Sequence, residues 1–352
     1  MLGPARAFCQ RTGARAAVLA AFLVAGFAVK APGQVLSFAD LDGWSDDDHQ
    51  VALTVFLETC DKPSEPEWGP VCALAADAVA SPAATRAFFE LFFRPVVIGE
   101  PPALFTGYYE PELEGSRQRT ARFSWPIYAR PPELKDGTVY LDRAAIEQGA
   151  LSGRGLEIAW LADPVEVYFL QVQGSGRIKF SDGNVLRVGY AGRNGHAYRS
   201  AGKALIDEGH MPESEVSAQG IKDWVRARGR AGSDFLNRNP SYVFFRPLRD
   251  LPADKGPLGA LGRSITSMRS LAVDPDLTPM GAPIWVEKDG RDPIRSLMIS
   301  QDTGGAIKGA QRADIFFGTG QGAGDAAGRV KDSGRMVVLL PIDLAYSLYP
   351  EG

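Results

Sequence analysis

The chain is poor in the side chains that most often hold metals: its 352 residues include three histidines (His49, His196, His210) and three cysteines (Cys9, Cys60, Cys72). Neither His-Glu-x-x-His nor Cys-x-x-Cys occurs, so a zinc site of the usual kind lacks ligands and no metal is expected. An excess of charge of either sign is also missing, since 38 Lys and Arg face 42 Asp and Glu, or 38 − 42 = −4. Nucleic-acid affinity rests on clustered cations that neutralise phosphates, so DNA and RNA are not expected partners. The apolar run Ala16–Val29 has 14 residues, short of the roughly 17–25 that a membrane-spanning helix needs. Chemistry is left to carboxylates and hydroxyls.

Around that run, Arg6, Arg11 and Arg15 come first, and Lys30, Ala31, Pro32 and Gly33 follow. A basic flank, a short apolar stretch and a small-residue exit read as a secretory signal peptide over residues 1–33, with an uncleaved signal anchor as the alternative. No Cys directly follows the run, so a lipid-anchored outer-membrane location is not supported by the sequence. An exported chain retains Cys60 and Cys72, which are expected to pair and close the Pro-rich loop between them; two buried free thiols are the alternative.

From Leu41 to Arg94 the pattern is helical. Ser45 with Asp46, Asp47 and Asp48 offers a cap and an acidic first turn. A second helix is expected over Val71–Val79, and a third starts at Ser81-Pro82 and stops at Pro95. The aromatic run Phe88, Phe89, Phe92, Phe93 reads as core. After Pro95, short apolar runs between Gly and Pro signals predict strands at Val165–Val172, Val185–Val188, Tyr242–Phe245, Pro283–Val286, Leu297–Ile299, Ile315–Phe317 and Met336–Leu340, a mainly β pattern suited to a barrel or sandwich. Helices are expected near Ala197–Glu208 and Ala218–Arg228, and Gly318–Gly328 reads as a mobile loop.

The densest chemical signal is Gln301-Asp302-Thr303-Gly304-Gly305, followed by Arg312-Ala313-Asp314-Ile315-Phe316-Phe317-Gly318. Asp302 and Asp314 sit at the ends of apolar strands, where burial raises a carboxyl pKa toward the range of a general acid. The opposing reading is a turn or surface carboxylate. Asp302-Thr303-Gly304 and Asp332-Ser333-Gly334 both spell the aspartic-protease signature, but they lie 30 residues apart instead of one in each half of the chain. Ser200-x-x-Lys203 matches penicillin-binding proteins without the Lys-Thr-Gly that should follow. A second cluster, Phe105-Thr106-Gly107-Tyr108-Tyr109-Glu110 with Gln173-Gly174-Ser175-Gly176, offers aromatic faces, amides and hydroxyls of the kind a saccharide needs.

The strings FTGYYEPELEGSR, PIYARP, VQGSG, YAGRNGHAYRSAGKALIDEG, NPSYVFFR, AVDPDLTPMGAPIWV and QDTGGAIKGAQRADIFFGTG together resemble the MltA family of lytic murein transglycosylases, over roughly Phe105–Leu340. The resemblance implies a mainly β protein with some helices: a double-psi β-barrel catalytic domain split in sequence by an inserted second β domain. The boundaries then fall at 1–33 for the signal, 34–108 for a helical part joining the barrel, 109–239 for the insert and 240–352 for the rest of the barrel. It implies a lyase that cuts the β-1,4 bond between N-acetylmuramic acid and N-acetylglucosamine and leaves 1,6-anhydromuramic acid ends. A muramidase-type hydrolase and a non-catalytic peptidoglycan-binding barrel are the alternatives. On this mapping Asp314 is the catalytic acid and base, Asp302 assists it, and Thr106, Tyr109, Gln173, Gly174, Ser175 and Asp274 contact the glycan. No cofactor is implied. The expected setting is the periplasm, as a monomer, with glycan strands as substrate and cell-wall synthesis or division proteins as candidate partners.

Overall fold

The computed structural model describes residues 32–63 and 65–350; the basic and apolar segment read as an export signal lies outside them, apart from Pro32 and Gly33. Helix His49–Leu57 is capped by Asp48, whose side chain accepts from the N–H groups of Gln50 and Val51. The cap is therefore not Ser45, which lies in a 3₁₀ turn, Trp44–Asp46. Asp47 is drawn away to Arg269, Ser296 and the N–H of Leu297, tying this layer to the strands beyond. The second helix, Trp68–Ala75, starts earlier than expected and tightens into a 3₁₀ turn, Ala76–Ala80. The third, Pro82–Phe92, is capped by Ser81 with Pro82 in its first turn, as the sequence signals. It ends at Phe93 instead of Pro95, because Phe93 is already extended and opens a strand. Cys60 and Cys72 form a disulfide with Cα atoms 5.5 Å apart.

Strand β1 (Gly33–Val35) pairs with β2 (Phe93–Ile98), and β3 (Ala103–Glu110) follows. Next come β4 (Glu112–Ser116), β5 (Trp125–Tyr128), β6 (Glu157–Leu161), β7 (Ser175–Lys179), β8 (Val185–Arg193) and β9 (Val243–Pro247), which form a second sheet in the order β5-β6-β4-β7-β8-β9. The chain returns to the first sheet with β10 (Ser270–Val273), β11 (Pro283–Lys288), β12 (Ile294–Thr303), β13 (Arg312–Thr319) and β14 (Lys331–Pro341). Because β14 also pairs with β3, six strands close on themselves in the order β14-β11-β12-β10-β13-β3. Closure removes the free edges that open sheets must protect. Two pairs in the ring are parallel, β10 with β12 and β13 with β3, among antiparallel neighbours. This is the split double-psi barrel, with the second β domain inserted between β3 and β10. The second sheet runs on to Pro247, past the point after Asn239 where the sequence reading returned to the barrel, and β3 keeps Tyr109 and Glu110 in the barrel.

Burial explains the strand patterns. All six residues of β11 are buried: Pro283–Val286 form an apolar run without alternation because both faces of the strand are covered, and the charged pair Glu287 and Lys288 that ends it is held by Arg335 and Asp332. Trp44 reaches Trp285 of β11 at 5.1 Å between ring centroids. Phe56, Trp68, Phe88, Phe89 and Phe93 pack together beside it at 5.3–6.4 Å, so the aromatic run is core.

Two expectations fail here. Val165–Val172, read as a strand, lies in the helix Pro164–Gln173. Asp163 caps it, Pro164 opens it, and Gly174 at φ +78° ends it; these end signals outweigh the β-branched content. Six of its residues are buried around the helix, which erases the 3.6-residue periodicity. The Gly-rich segment read as a mobile loop contains the helix Gln321–Ala327. It lies close on β3, where a Cβ on Gly107 would come within 2.7 Å of the Ala327 Cα and one on Gly324 within 2.7 Å of the Tyr109 ring. Elsewhere the helix near residue 197 starts only after its cap Ser200, as Ala201–Asp207, and Ala218–Ala227 falls where expected.

Candidate active site

Strand register builds the site. Thr106 on β3 is opposite Asp314 on β13, Asp314 is opposite Ala272 on β10, and Ala272 is opposite Asp302 on β12. Lateral partners in a sheet turn to the same face, so the four form one row. Asp314 and Asp302 stand two strand spacings apart, about 9–10 Å at the backbone. Ala313 and Ile315, the neighbours of Asp314, point into the barrel core. Asp314 therefore lies on the opposite face, beside a small apolar cluster of Tyr108, Ile265, Ala272, Ile307 and Phe316.

Asp302 and Asp314 are each half-buried residues. Thr106 Oγ1 donates to Asp314 Oδ1 at 2.5 Å, and Arg312 Nη2 donates to Thr106 Oγ1 at 2.8 Å. Burial raises Asp314 above the ordinary carboxylate range, opposed by the Thr106 hydroxyl and the Arg312 charge. Asp302 accepts at Oδ1 from the N–H groups of Ala260 (3.0 Å) and Thr303 (2.9 Å), and at Oδ2 from the Tyr108 hydroxyl (3.0 Å). Burial lifts it to about 6 in spite of these three bonds, and the Asp314 charge adds to the rise. Burial and the two carboxylates hold the Tyr108 phenol protonated and a donor.

The second cluster is partly assembled around β3. The Tyr109 N–H donates to Gln173 Oε1 at 3.0 Å, which turns the Gln173 amide nitrogen the other way. Gly174 ends the helix there, and Ser175 is buried at the start of β7. Asp274 stands apart: it is buried, accepts from Lys308 Nζ and the Gly309 N–H at 2.9 Å each, and is held below the usual carboxylate range by these bonds against the opposing effect of burial. Its carboxylate staples the loop after β12 and makes no hydrogen bond to Asp302 or Asp314 among the described residues. A Cβ on Gly305 in that loop would sit 3.6 Å from Arg193 and 3.9 Å from Tyr198 of the second domain. The two domains are joined below by Glu110, fully buried, which binds Arg177 (2.8 Å), Arg187 (3.0 Å) and Thr319 (2.9 Å).

The rejected motifs have structural uses. Ser200 caps its helix and Lys203 pairs with Asp207, while Asp332 binds Lys288 at 2.7 Å. Among the described residues no group of three or more His, Cys, Asp or Glu could hold a metal ion. Tyr108, Glu110 and Arg312 stand inside the two motif clusters, but sequence reasoning gave none of them a role of its own. Arg312 carried a readable signal, since residues two apart on a strand share a face.

Known proteins match this arrangement. The family model described as the MltA specific insert domain matches residues 104–246, and that of the 3D domain matches 269–340. A Vibrio cholerae protein named membrane-bound lytic murein transglycosylase A is 37% identical over 263 residues, 70% of this chain and 69% of its own length. Its Escherichia coli K12 namesake is 39% identical over 246 residues, 67% of this chain and 65% of its own length. The crystal structure of membrane-bound lytic murein transglycosylase from Agrobacterium tumefaciens superposes with a TM-score of 0.82 at 33% identity, covering 90% of this chain and 99% of that one. That of E. coli MltA with bound chitohexaose gives 0.71 at 30% identity, covering 88% and 94%. On fold, register and sequence together, the chain belongs to the family of membrane-bound lytic murein transglycosylase A.

Proposed function

We propose that this chain is a lytic murein transglycosylase that cleaves the β-1,4 bond between N-acetylmuramic acid and N-acetylglucosamine and forms 1,6-anhydromuramic acid ends. The observation that carries this reading is Asp314, half-buried with a raised pKa and a fixed hydroxyl donor on one oxygen. Protonated Asp314 gives its proton to the linking oxygen as the C1–O bond breaks, and the N-acetylglucosamine side leaves as an alcohol. Positive charge develops at the muramoyl C1, and the Asp302 carboxylate offsets it. The muramoyl C6 hydroxyl then attacks C1 while Asp314, now a carboxylate, takes its proton. No water is consumed, and intramolecular attack supplies the proximity advantage. Tyr109, Gln173, Gly174 and Ser175 hold the glycan, and Asp274 keeps the loop after β12 in place.

Two carboxylates on one face also suit the acid/base pair of a muramidase-type hydrolase. The three hydrogen bonds that Asp302 already accepts weigh against it, because they occupy most of the lone pairs a water-activating base would use. The name of the relatives and the export-type amino terminus support a cell-envelope setting; among the described residues no helix is long and apolar enough to cross a membrane. The test is digestion of purified sacculi by the wild type and by Asp314→Asn, read by mass spectrometry. Anhydro-muropeptides from the wild type and at least a hundredfold loss in the variant are expected; undiminished activity of Asp314→Asn overturns the assignment.

A further inference from the structure

We infer that Arg312 is a positioning residue that fixes which oxygen of Asp314 carries the acid proton, acting through the hydroxyl of Thr106. This rests on the reading of Asp314 as the acid. Arg312 and Asp314 lie two residues apart on β13 and share a face, with Thr106 beside Asp314 on β3. A guanidinium has donors only, so in the contact of Arg312 Nη2 with Thr106 Oγ1 the hydroxyl oxygen must accept. A threonine hydroxyl has one hydrogen, and here it has one direction left to point, toward Asp314 Oδ1. Oδ1 is thereby an acceptor in both charge states of the carboxyl. The acid proton is confined to Oδ2, which accepts no hydrogen bond among the described residues.

Arg312 is itself fixed. Nη1 donates to the carbonyl of Ala313 at 2.6 Å and to that of Leu104 at 3.3 Å, so its second nitrogen is aimed at Thr106 by strand backbone on both sides. Without Arg312 the Thr106 hydroxyl could rotate and accept from a protonated Asp314, placing the proton on the wrong oxygen. The ionisable groups around this relay are Arg312 on β13, Tyr108 on β3 and Asp302 on β12.

The experiment measures the pH dependence of kcat and KM on purified sacculi for the wild type, Arg312→Met, Arg312→Lys, Thr106→Val, Thr106→Ser, the double variant Arg312→Met/Thr106→Val, and Asp314→Asn. Arg312→Met is expected to lower kcat about tenfold or more with KM within twofold, and to move the falling alkaline limb up by about one pH unit, because removing a nearby cation raises a carboxyl pKa. Arg312→Lys and Thr106→Ser restore most of both, since each keeps the needed donor. In the Thr106→Val background, removing Arg312 should cost less than threefold in kcat, the hydroxyl it orients being absent. Equal losses in the two backgrounds, or a wild-type profile for Arg312→Met, overturn the inference. If Arg312→Met does not fold, a failure of Thr106→Val to lower kcat overturns it alone. Activity retained by Asp314→Asn would instead remove the reading of the acid on which it rests.

Discussion

Replacing Asp302 by asparagine should make the protein more stable at neutral pH while it weakens catalysis. Burial raises Asp302 from 3.8 to about 6. At about 1.4 kcal/mol per unit, the folded state disfavours the ionised carboxylate by about 3 kcal/mol relative to the unfolded chain. The sign follows from the raised value. Between about pH 4 and 6 the folded protein holds a proton that the unfolded chain has released, so the wild type loses stability as pH rises through this window and levels off above it. Asparagine accepts from Ala260 and Thr303 without a charge to bury. The difference in Tm between Asp302→Asn and the wild type should be smallest near pH 3.5, grow through pH 4–6 and reach a plateau on the order of 5 °C for a chain of this length. Thermal unfolding in matched buffers from pH 3.5 to 8 reads it directly. A difference independent of pH, or a variant less stable than the wild type at pH 8, would refute the reasoning that burial holds Asp302 up.

Other perturbations probe the frame. Glu110→Ala leaves Arg177 and Arg187 without their shared carboxylate and should cost about 3–5 kcal/mol, seen as a lower unfolding midpoint; a shift under 1 kcal/mol would mean that the two domains do not depend on this clamp. Gly107→Ala puts a methyl group 2.7 Å from the Ala327 Cα and should destabilise by about 1–3 kcal/mol through displacement of the helix Gln321–Ala327. A variant matching the wild type in Tm and activity would show that this helix yields freely. Asp274→Ala frees the Gly309 N–H and leaves Lys308 paired with Asp276 alone, so limited proteolysis should cut within residues 304–309 faster than in the wild type, and an unchanged rate would contradict the stapling role.

Much of the barrel was legible because its strands carry short apolar runs bounded by turn signals, as in Pro283–Val286 and Met336–Leu340. The helix Pro164–Gln173 was not, since burial on several faces left no helical period and Val165, Val167 and Tyr168 favour strands. Its caps, Asp163-Pro164 and Gly174, were the readable evidence of a helix, and they were outweighed by composition. The Gly-rich helix Gln321–Ala327 misled in the other direction: glycine favours loops in isolation, whereas here Gly324 makes room for the Tyr109 ring. Asp302 and Asp314 stood out through their neighbours on strand ends. The row that joins them depends on the register of four strands drawn from positions 104–316, and no local pattern encodes that register. Thr106 entered as a glycan contact, from its place in a cluster of aromatic, amide and hydroxyl groups and from resemblance, and its bond to Asp314 emerged only from the parallel pairing of β3 with β13.

The central claim is that the muramoyl C6 hydroxyl, and not water, attacks C1. Digesting sacculi in water enriched in oxygen-18 and weighing the released muropeptides tests it directly. The account predicts new ends one water lighter than reducing ends and free of the heavy isotope. Reducing ends carrying one oxygen-18 would contradict it and make the protein a hydrolase.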